Sequence, residues 1–376
     1  MMAGLHFQEY IEKGGIERMK KEHKFKNLKM IEKLIMDFEI LFHLQEAIPD
    51  LIVKGGLAVP HHLDGGGPRR LSIDIDLLTG LSKKEVSSIM NRIIPKLREI
   101  GIEVSPHTPE TASTRNLPLQ TYFCRYRSKL TGYAKVKIDL FYGMDVRNIP
   151  SRRVGNTPVF GIPIDFEFYV CGREFLIGDK LTTLARHTIG IEEGRNRDIP
   201  KQVFDIGALL REAPLPLQVD DIRAGFASTV LEQNRYIGTT EYSPDEVWDD
   251  IMESLKGILP LKQRLDMEEG YGTHFDTFSG EYFGGVQYTT NSHMEDIMLI
   301  RAAVPLLRGG VPEAESRLNG MMAEMARMTG LGREDRKQET QDISNRIRRH
   351  RRLKGDFKTP TQAYLYEQIM GVEGPR

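Results

Sequence analysis

Two carboxylates stand two residues apart in the segment LSIDIDLL, residues 71–78. Its alternation predicts a strand with the apolar residues on one face and Ser72, Asp74 and Asp76 on the other. Two acids this close repel each other unless a cation lies between them, and a hard divalent ion meets that need. Two solvated acids on an exposed sheet face would show the same spacing, so the pair alone does not establish a metal site.

A third acid, Asp139, lies in the segment KVKIDLFYG, where it shares one strand face with Lys135 and Lys137. Three carboxylates from two neighbouring strands can hold two Mg²⁺ ions, one bound to a nucleoside triphosphate (NTP) and one activating the attacking hydroxyl. We therefore take Asp74, Asp76 and Asp139 as the candidate ligands for Mg²⁺, or for Mn²⁺ in its place.

Two glycines, Gly55 and Gly56, follow the short apolar run LIVK, which ends at Lys54. Glycines at that point allow the chain to turn tightly and to present backbone amides at the start of a helix, an arrangement that attracts phosphate. A Gly-Gly pair after a strand is by itself equally compatible with a plain turn.

Apolar periodicity divides the chain into three parts. Residues 1–50 show helical spacing, residues 51–215 contain short alternating runs mixed with helices, and residues 216–376 are mostly helical. This predicts an α+β protein with an N-terminal helical extension, a mixed-sheet catalytic domain and a helical C-terminal domain. Within the last part, the Gly-, Thr- and aromatic-rich segment of residues 270–290 is expected to form a loop or a small hairpin.

The composition indicates a globular protein, with 376 residues, 40% hydrophobic and 28% charged. No apolar run is long enough for a membrane span and no signal peptide is recognisable, so a cytoplasmic protein is expected. Two cysteines exclude a thiolate zinc cluster built from this chain alone. The net charge of −1 at pH 7 leaves only local basic patches, of which RIRRHRRLK (residues 346–354) is the clearest.

In ordered combination, these segments resemble the nucleotidyltransferase superfamily and, within it, the AbiEii/AbiGii-type toxins of toxin–antitoxin systems. KGGLAV is similar to that family's KGGTAL element, and Asp139 fits its later strand acid. Lys180 in DKLTTLARH and Asp205 in RDIPKQVFDIGALL resemble the lysine and the acid of its closing helices. Six positions match the family's R-x-S-x-D-I-D-L pattern: Arg70, Ser72, Asp74, Ile75, Asp76 and Leu77.

The resemblance spans about residues 40–215 and implies roles for several side chains. Lys180 would contact the triphosphate, and Asp205 would complete the active site. The implied nucleotide-binding residues are Lys54, Gly55, Gly56, Ser72 and Lys180. Gly56 departs from superfamily members that carry serine there, so backbone amides would have to replace a hydroxyl.

Two of these assignments have plain alternatives in the sequence. Lys180 could be an ordinary solvated helix residue. Asp205 lies four residues after Lys201, a spacing that allows a surface ion pair.

The function implied by the resemblance is Mg²⁺-dependent transfer of a nucleoside monophosphate from an NTP to an acceptor hydroxyl. The acceptor would be RNA, notably the 3′ end of tRNA, and a cognate antitoxin protein would be a partner. The alternatives are nucleotidylation of a small molecule or protein, metal-dependent phosphoester hydrolysis, and a non-catalytic protein that binds nucleotide or RNA. The patch at residues 346–354 suits an RNA backbone or an acidic antitoxin equally.

Overall fold

The computed structural model describes residues 5–63, 67–107, 118–237, 241–258, 271–309, 313–350 and 357–372. Within these ranges a seven-stranded mixed sheet has the order β3-β4-β5-β2-β1-β7-β6. The α+β class predicted from the sequence is confirmed. The strands are β1 (Ile52–Lys54), β2 (Asp74–Leu78), β3 (Ile102–His107), β4 (Leu119–Ser128), β5 (Gly132–Phe141), β6 (Ser151–Gly155) and β7 (Glu167–Cys171).

The centre of the sheet carries the segments singled out for chemistry. β2 runs parallel to β5 and antiparallel to β1, and β5 runs antiparallel to β4. Alternation along β5 buries Val136, Ile138 and Leu140, while the residues between them are half-buried or exposed. The sheet therefore has one apolar face and one polar face in this region, as the sequence pattern predicts.

Three helices, α1 (Gln8–Ile11), α2 (Lys13–His23) and α3 (Leu28–Ala47), precede the sheet. The Asn27 side chain caps α3 by accepting hydrogen bonds from the amides of Lys29 and Met30. α3 buries its apolar side chains and packs against β2 and β5. The predicted N-terminal helical cover is thus present.

A helix follows each of the strands β1 and β2. α4 (Gly55–Ala58) follows β1 directly, and α5 (Lys83–Glu99) follows β2. A capping box between Ser82 and Glu85 fixes the start of α5, which packs on β3 and α3.

The remaining helices follow β7, and the second half of the chain is mostly helical, as expected. In this region α11 packs against α7, α9, α12 and α14. The helices are α6 (Arg173–Thr182), α7 (Ile199–Arg211), α8 (Val219–Ile237), α9 (Pro244–Ile258), α10 (Tyr271–Glu281), α11 (Thr290–Arg308), α12 (Ala314–Thr329), α13 (Arg333–His350) and α14 (Pro360–Val372).

The chain divides into two compact units. The first contains Met1–Leu176 with Tyr236–Gly238 and Ser279–Gln287, and the second contains the rest from Ile177 onward. This division falls within α6, whereas the sequence pattern put the end of the catalytic domain at residue 215. The division into an N-terminal extension (residues 1–50), a catalytic domain (51–215) and a C-terminal domain (216–376) stays a prediction.

One local expectation was wrong over half of its length. Residues 271–281 of the segment expected as a loop or hairpin form helix α10, because Tyr271, Phe275 and Phe278 recur at helical spacing and are buried. The strand β6 was not expected, since its sequence SRRVG shows no apolar alternation; it is an edge strand held by pairing with β7. None of the helices in the described ranges is both long and apolar enough to cross a membrane.

Candidate active site

The acids Asp76 and Asp139 are directly aligned on the parallel strands β2 and β5. Asp74 is aligned with Lys137 in the same ladder, so all four side chains lie on the polar face of the sheet. Asp74 is exposed, whereas Asp76 and Asp139 are half-buried. The structure thus brings the three predicted metal acids to one sheet face, with Asp76 and Asp139 as nearest neighbours across the ladder.

Two side chains hold the carboxylate of Asp139. The Thr121 hydroxyl donates to Asp139 Oδ1 at 2.7 Å, and Lys137 Nζ lies 2.5 Å from Asp139 Oδ2. Thr121 is the residue opposite Asp139 on β4. Neither residue was predicted to have a role, although the position of Lys137 two residues before Asp139 on the same strand face was a signal for it.

Burial and the neighbouring acids shift the pKa of Asp76. Burial raises the pKa of Asp76 to about 6, the charges of Asp139 and Asp74 add to the rise, and those of Lys54 and Lys137 oppose it. A carboxyl group in this state gains from any further positive charge placed beside it. This is the electrostatic setting that favours a bound divalent cation.

The donor set fits Mg²⁺, with the protein supplying part of the coordination. Within the described residues, no three His, Cys, Asp or Glu side chains converge as a preformed metal cage. Mg²⁺ in phosphoryl-transfer sites is usually held by one or two carboxylates together with substrate phosphates and water. Asp76 and Asp139 are sufficient as protein ligands for that arrangement, with the exposed Asp74 beside them.

The glycine turn packs against this acid cluster. β1 ends at Lys54, which is aligned with Asp76, and Gly55 then adopts a left-handed backbone with φ of +66°. A β-carbon at residue 55 would overlap the Asp76 carboxylate. Glycine is therefore required at this position both for backbone conformation and for space.

The second glycine is required by different neighbours. A β-carbon at Gly56 would lie 2.6 Å from Ser72 Oγ and 2.7 Å from Arg70 Nη2. The space that a serine side chain would fill at residue 56 is thus occupied by the Ser72 hydroxyl and the Arg70 guanidinium. This explains why glycine fits at residue 56, and the Ser72 hydroxyl, from the segment just before β2, lies in that space.

Arg70, the first residue of the R-x-S-x-D-I-D-L pattern, was not predicted to have a role, but it lies beside the glycine turn. Its side chain is buried with 6% exposure, and its Nη1 donates to the carbonyl of Leu71 at 3.0 Å. A guanidinium has a planar set of N–H donors that matches the geometry of a phosphate.

Lys180 and Asp205 belong to the second unit, where they form a buried ion pair. Lys180 Nζ lies 2.7 Å from Asp205 Oδ2, and their side chains are 5% and 0% exposed. Gln202 Oε1 accepts from the same Nζ at 3.3 Å. The solvated-lysine alternative is therefore wrong, and so is the Lys201 alternative, since Lys201 pairs with Asp198 at 2.7 Å.

Residues 346–350 of the basic segment RIRRHRRLK form the end of α13, and residues 351–354 lie outside the described residues. Its first member, Arg346, is paired with Glu367 on α14 at 3.2 Å. The role predicted for this segment stays a prediction.

Comparison with known proteins gives a family match and matches to solved structures. The family model described as "Nucleotidyl transferase AbiEii toxin, Type IV TA system" matches residues 39–284. A nucleotidyltransferase toxin from Mycobacterium tuberculosis H37Rv, MenT4, has a TM-score of 0.43 and 13% identity, with 81% of this chain and 92% of that chain covered. A likeness this distant does not bear on the site.

None of the curated protein sequences is significantly similar to this chain. The family match covers more than half of the chain, includes the glycine turn and all five candidate catalytic residues, and extends past residue 215. The chain belongs to the AbiEii family of nucleotidyl transferase toxins.

Proposed function

We propose that this protein transfers a nucleoside monophosphate from an NTP to an acceptor hydroxyl, with pyrophosphate as the leaving group, and that the acceptor is RNA such as the 3′ end of tRNA. The observation that carries the proposal is the alignment of Asp76 with Asp139 beside the Gly55–Gly56 turn. In-line transfer needs alignment of the reactants and neutralisation of charge more than covalent help from protein.

Each part of the site has a task in this proposal. The Gly55–Gly56 backbone and the Arg70 guanidinium would hold the triphosphate, with the Ser72 hydroxyl beside them. Asp76 and Asp139 would hold Mg²⁺, with Asp74 next to them, and Thr121 would keep Asp139 in one orientation. When bound, Mg²⁺ would offset phosphate charge and lower the pKa of the attacking hydroxyl.

Lys54 and Lys137 surround the acids with positive charge. Both oppose the rise in the pKa of Asp76, and Lys137 is bonded to Asp139 directly. The ion pair of Lys137 would weaken as a metal binds Asp139, which leaves the ammonium available to a substrate phosphate. The roles of Lys180 and Asp205 in the reaction stay predictions from the family resemblance.

The family supports two further parts of the proposal. Membership in a type IV toxin–antitoxin family implies a cognate antitoxin and an NTP substrate. Transfer to tRNA would stop translation, and it would take place in the cytoplasm, where NTPs and tRNA are available.

The test is a labelling reaction with Mg²⁺ and each of the four α-labelled NTPs, with total RNA and total protein supplied as acceptors. Label that is transferred to RNA supports the proposal. Label on protein would show that the acceptor is a protein, and NTP breakdown without an adduct would identify a hydrolase. No turnover in any arm, with Mg²⁺ or Mn²⁺, would indicate a non-catalytic binding protein.

Matched variants separate the site from the rest of the chain. Asp76→Asn and Asp139→Asn should each lower transfer about a hundredfold or more, because metal neutralisation of charge is worth several kcal/mol. Glu99→Gln, an exposed acid at the end of α5, serves as the control and should keep full activity. Full transfer by both aspartate variants would refute the proposed site.

A further inference from the structure

The hairpin of β4 and β5 carries basic and aromatic side chains next to one another on its polar face. Register pairs Phe123 with Lys137, Arg125 with Lys135 and Arg127 with Tyr133. Paired residues in a sheet point to the same side, and this side is the one that carries Asp139. We refer to five of these residues as the basic–aromatic strip: Phe123, Arg125, Arg127, Tyr133 and Lys135.

The strip is open to solvent. Tyr133 is 62% exposed, which is unusual for a large aromatic side chain on a strand, and the three cations are exposed as well. The opposite face of the same hairpin buries Tyr122, Cys124 and Tyr126. The exposure is therefore a property of one face and does not reflect a loosely packed hairpin.

The cations of the strip rest on aromatic rings. Arg125 Cζ lies 4.1 Å from the centre of the Tyr133 ring, and Lys135 Nζ lies 4.5 Å from the centre of the Phe123 ring. In the described part of the chain, no carboxylate lies within ion-pair distance of Arg125, Arg127 or Lys135. Among the described residues aligned with these cations on neighbouring strands, Glu103 on β3 is the acid opposite Arg125. Within that part of the chain, no ion pair therefore balances the positive charge of the strip.

The strip leads to the candidate active site along a single strand. On β5, Tyr133, Lys135 and Lys137 precede Asp139 on the same face. Tyr133 lies six positions before Asp139 in this extended strand, a distance of about 20 Å. A linear polyanion lying along the strip would have its end at the acids.

We propose that the basic–aromatic strip binds single-stranded RNA and leads the acceptor end toward Asp76 and Asp139. Cations that neutralise a backbone, interleaved with rings on which unpaired bases stack, are the chemistry of sequence-tolerant single-strand binding. An acidic protein segment would use the cations but would gain little from the exposed Tyr133 ring. RNA binding by the strip does not depend on the proposed function. Its role in guiding the acceptor end to the acids rests on that function.

The experiment measures binding of a labelled oligouridine strand to full-length protein carrying Asp76→Asn, without NTP, over a range of salt concentrations. A double variant, Arg125→Gln with Lys135→Gln, removes two cations. The slope of log K against log salt should become shallower by about 1.4, since each phosphate contact on a single strand contributes about 0.7. Tyr133→Ala should keep the slope and lower the affinity roughly 5- to 150-fold through lost stacking.

The control is the double variant Lys83→Gln with Lys84→Gln, which removes two exposed lysines from α5. It should leave affinity and slope unchanged. A purely structural role for the strip, as cross-strand pairs that stabilise the hairpin, predicts a lower melting temperature with unchanged RNA affinity, and that result would overturn the proposal.

A second arm replaces RNA with polyglutamate. Equal binding of both polymers, with the same loss on Tyr133→Ala, would reassign the strip to an acidic protein partner and overturn the proposal. If oligouridine does not bind but the labelling reaction still modifies an acceptor, the strip fails while the proposed transferase function stands. If labelling fails but RNA binding is intact and depends on Tyr133, RNA binding by the strip is supported and the proposed transferase function is not.

Discussion

The backbone of Gly55 packs directly against the carboxylate of Asp76, with no space for a side chain between them. The two residues lie on different elements: Gly55 begins α4 after β1, and Asp76 lies within β2. Lys54 and Asp76 are aligned partners, so the turn is fixed to the acid by strand pairing. The position of Asp76 and the conformation of the glycine turn therefore depend on each other.

Gly55→Ala should lower transfer by at least about tenfold in a protein that still folds. An L-residue at φ of +66° is strained by about 1–2 kcal/mol, and the added methyl group would displace the Asp76 carboxylate. Each 1.4 kcal/mol of interaction lost in the transition state lowers the rate about tenfold. The melting temperature should fall only modestly. Labelling activity and thermal unfolding measure the two effects.

The matched control is Gly14→Ala in α2. Nothing lies within 4 Å of a β-carbon at that position, and alanine favours helix over glycine by about 0.5–1 kcal/mol. This variant should keep its activity and become slightly more stable. Equal activity of Gly14→Ala and Gly55→Ala would show that the turn does not position Asp76.

Thr121→Val should weaken metal-dependent activity without unfolding the sheet. The variant keeps the shape of the side chain but removes the hydrogen bond that holds Asp139 Oδ1 at 2.7 Å. Partners that orient metal ligands typically contribute 10- to 100-fold to metal affinity or activity, so the Mg²⁺ concentration for half-maximal activity should rise by roughly that factor. Thr121→Ser restores the hydroxyl and should restore the Mg²⁺ response; if it does not, Thr121 acts through packing.

The buried pair of Lys180 and Asp205 should be strongly coupled in unfolding measurements. Lys180→Met or Asp205→Asn alone leaves one buried group without its partner and should lower the free energy of unfolding by about 3–5 kcal/mol. The double variant should lose clearly less than the sum of the two single variants. Urea unfolding of all four proteins gives the coupling energy.

A comparison pair lies nearby in the same unit. Lys201 and Asp198 are 2.7 Å apart but partly exposed, with side chains 24% and 13% accessible. Their coupling should be no more than about 1 kcal/mol. Similar coupling energies for the two pairs would contradict the special stability assigned to the buried one.

The strand acids were predictable because alternation is local. The segment LSIDIDLL alone indicates that Asp74 and Asp76 share a face, and the structure has this arrangement. The same pattern along KVKIDLFYG puts Lys137 and Asp139 on one side. Short-range periodicity is sufficient for such conclusions, since the direction of a side chain on a strand depends only on its neighbours in sequence.

The partners of these acids were not predictable, because they come from strand pairing over long distances in sequence. Thr121 contacts Asp139 because of the register between β4 and β5. Arg70 and Ser72 become neighbours of Gly56 only when the chain around them packs against the glycine turn. The Lys180–Asp205 pair likewise joins two helices. Neither composition nor spacing contains the register that brings such residues together.

Glu39→Gln should destabilise the protein at neutral pH and have little effect in acid. Burial raises the pKa of Glu39, but hydrogen bonds from His43 and from the backbone amides of Phe7 and His6 outweigh it, so the pKa is lowered. The stabilising contribution is therefore complete above the unfolded-state pKa near 4.3 and is lost as the pH falls through the lower folded-state value. Denaturant titrations at pH 7 and at pH 3 should show a loss of about 1.5–3 kcal/mol that shrinks in acid.

Asp37→Asn on the same helix should show the opposite dependence. Asp37 is fully buried, and neither carboxylate oxygen has a hydrogen-bond partner in the described part of the chain. Burial, and then the charge of Asp74, raise the pKa of Asp37 well above its ordinary value, with Asp76 adding to the rise against the charge of Lys33. The neutral form is thus the one that the folded protein accommodates.

The sign of the effect follows from this shift. Below about pH 4 the wild-type acid is protonated in both the folded and the unfolded state, and it does not make stability depend on pH. As the pH rises toward the folded-state pKa, the wild type should lose stability relative to Asp37→Asn by about 1.4 kcal/mol per pH unit. Unfolding free energies at pH 5, 6 and 7 test this; a difference between the two proteins that stays constant would mean that Asp37 is charged in the folded protein at its ordinary pKa.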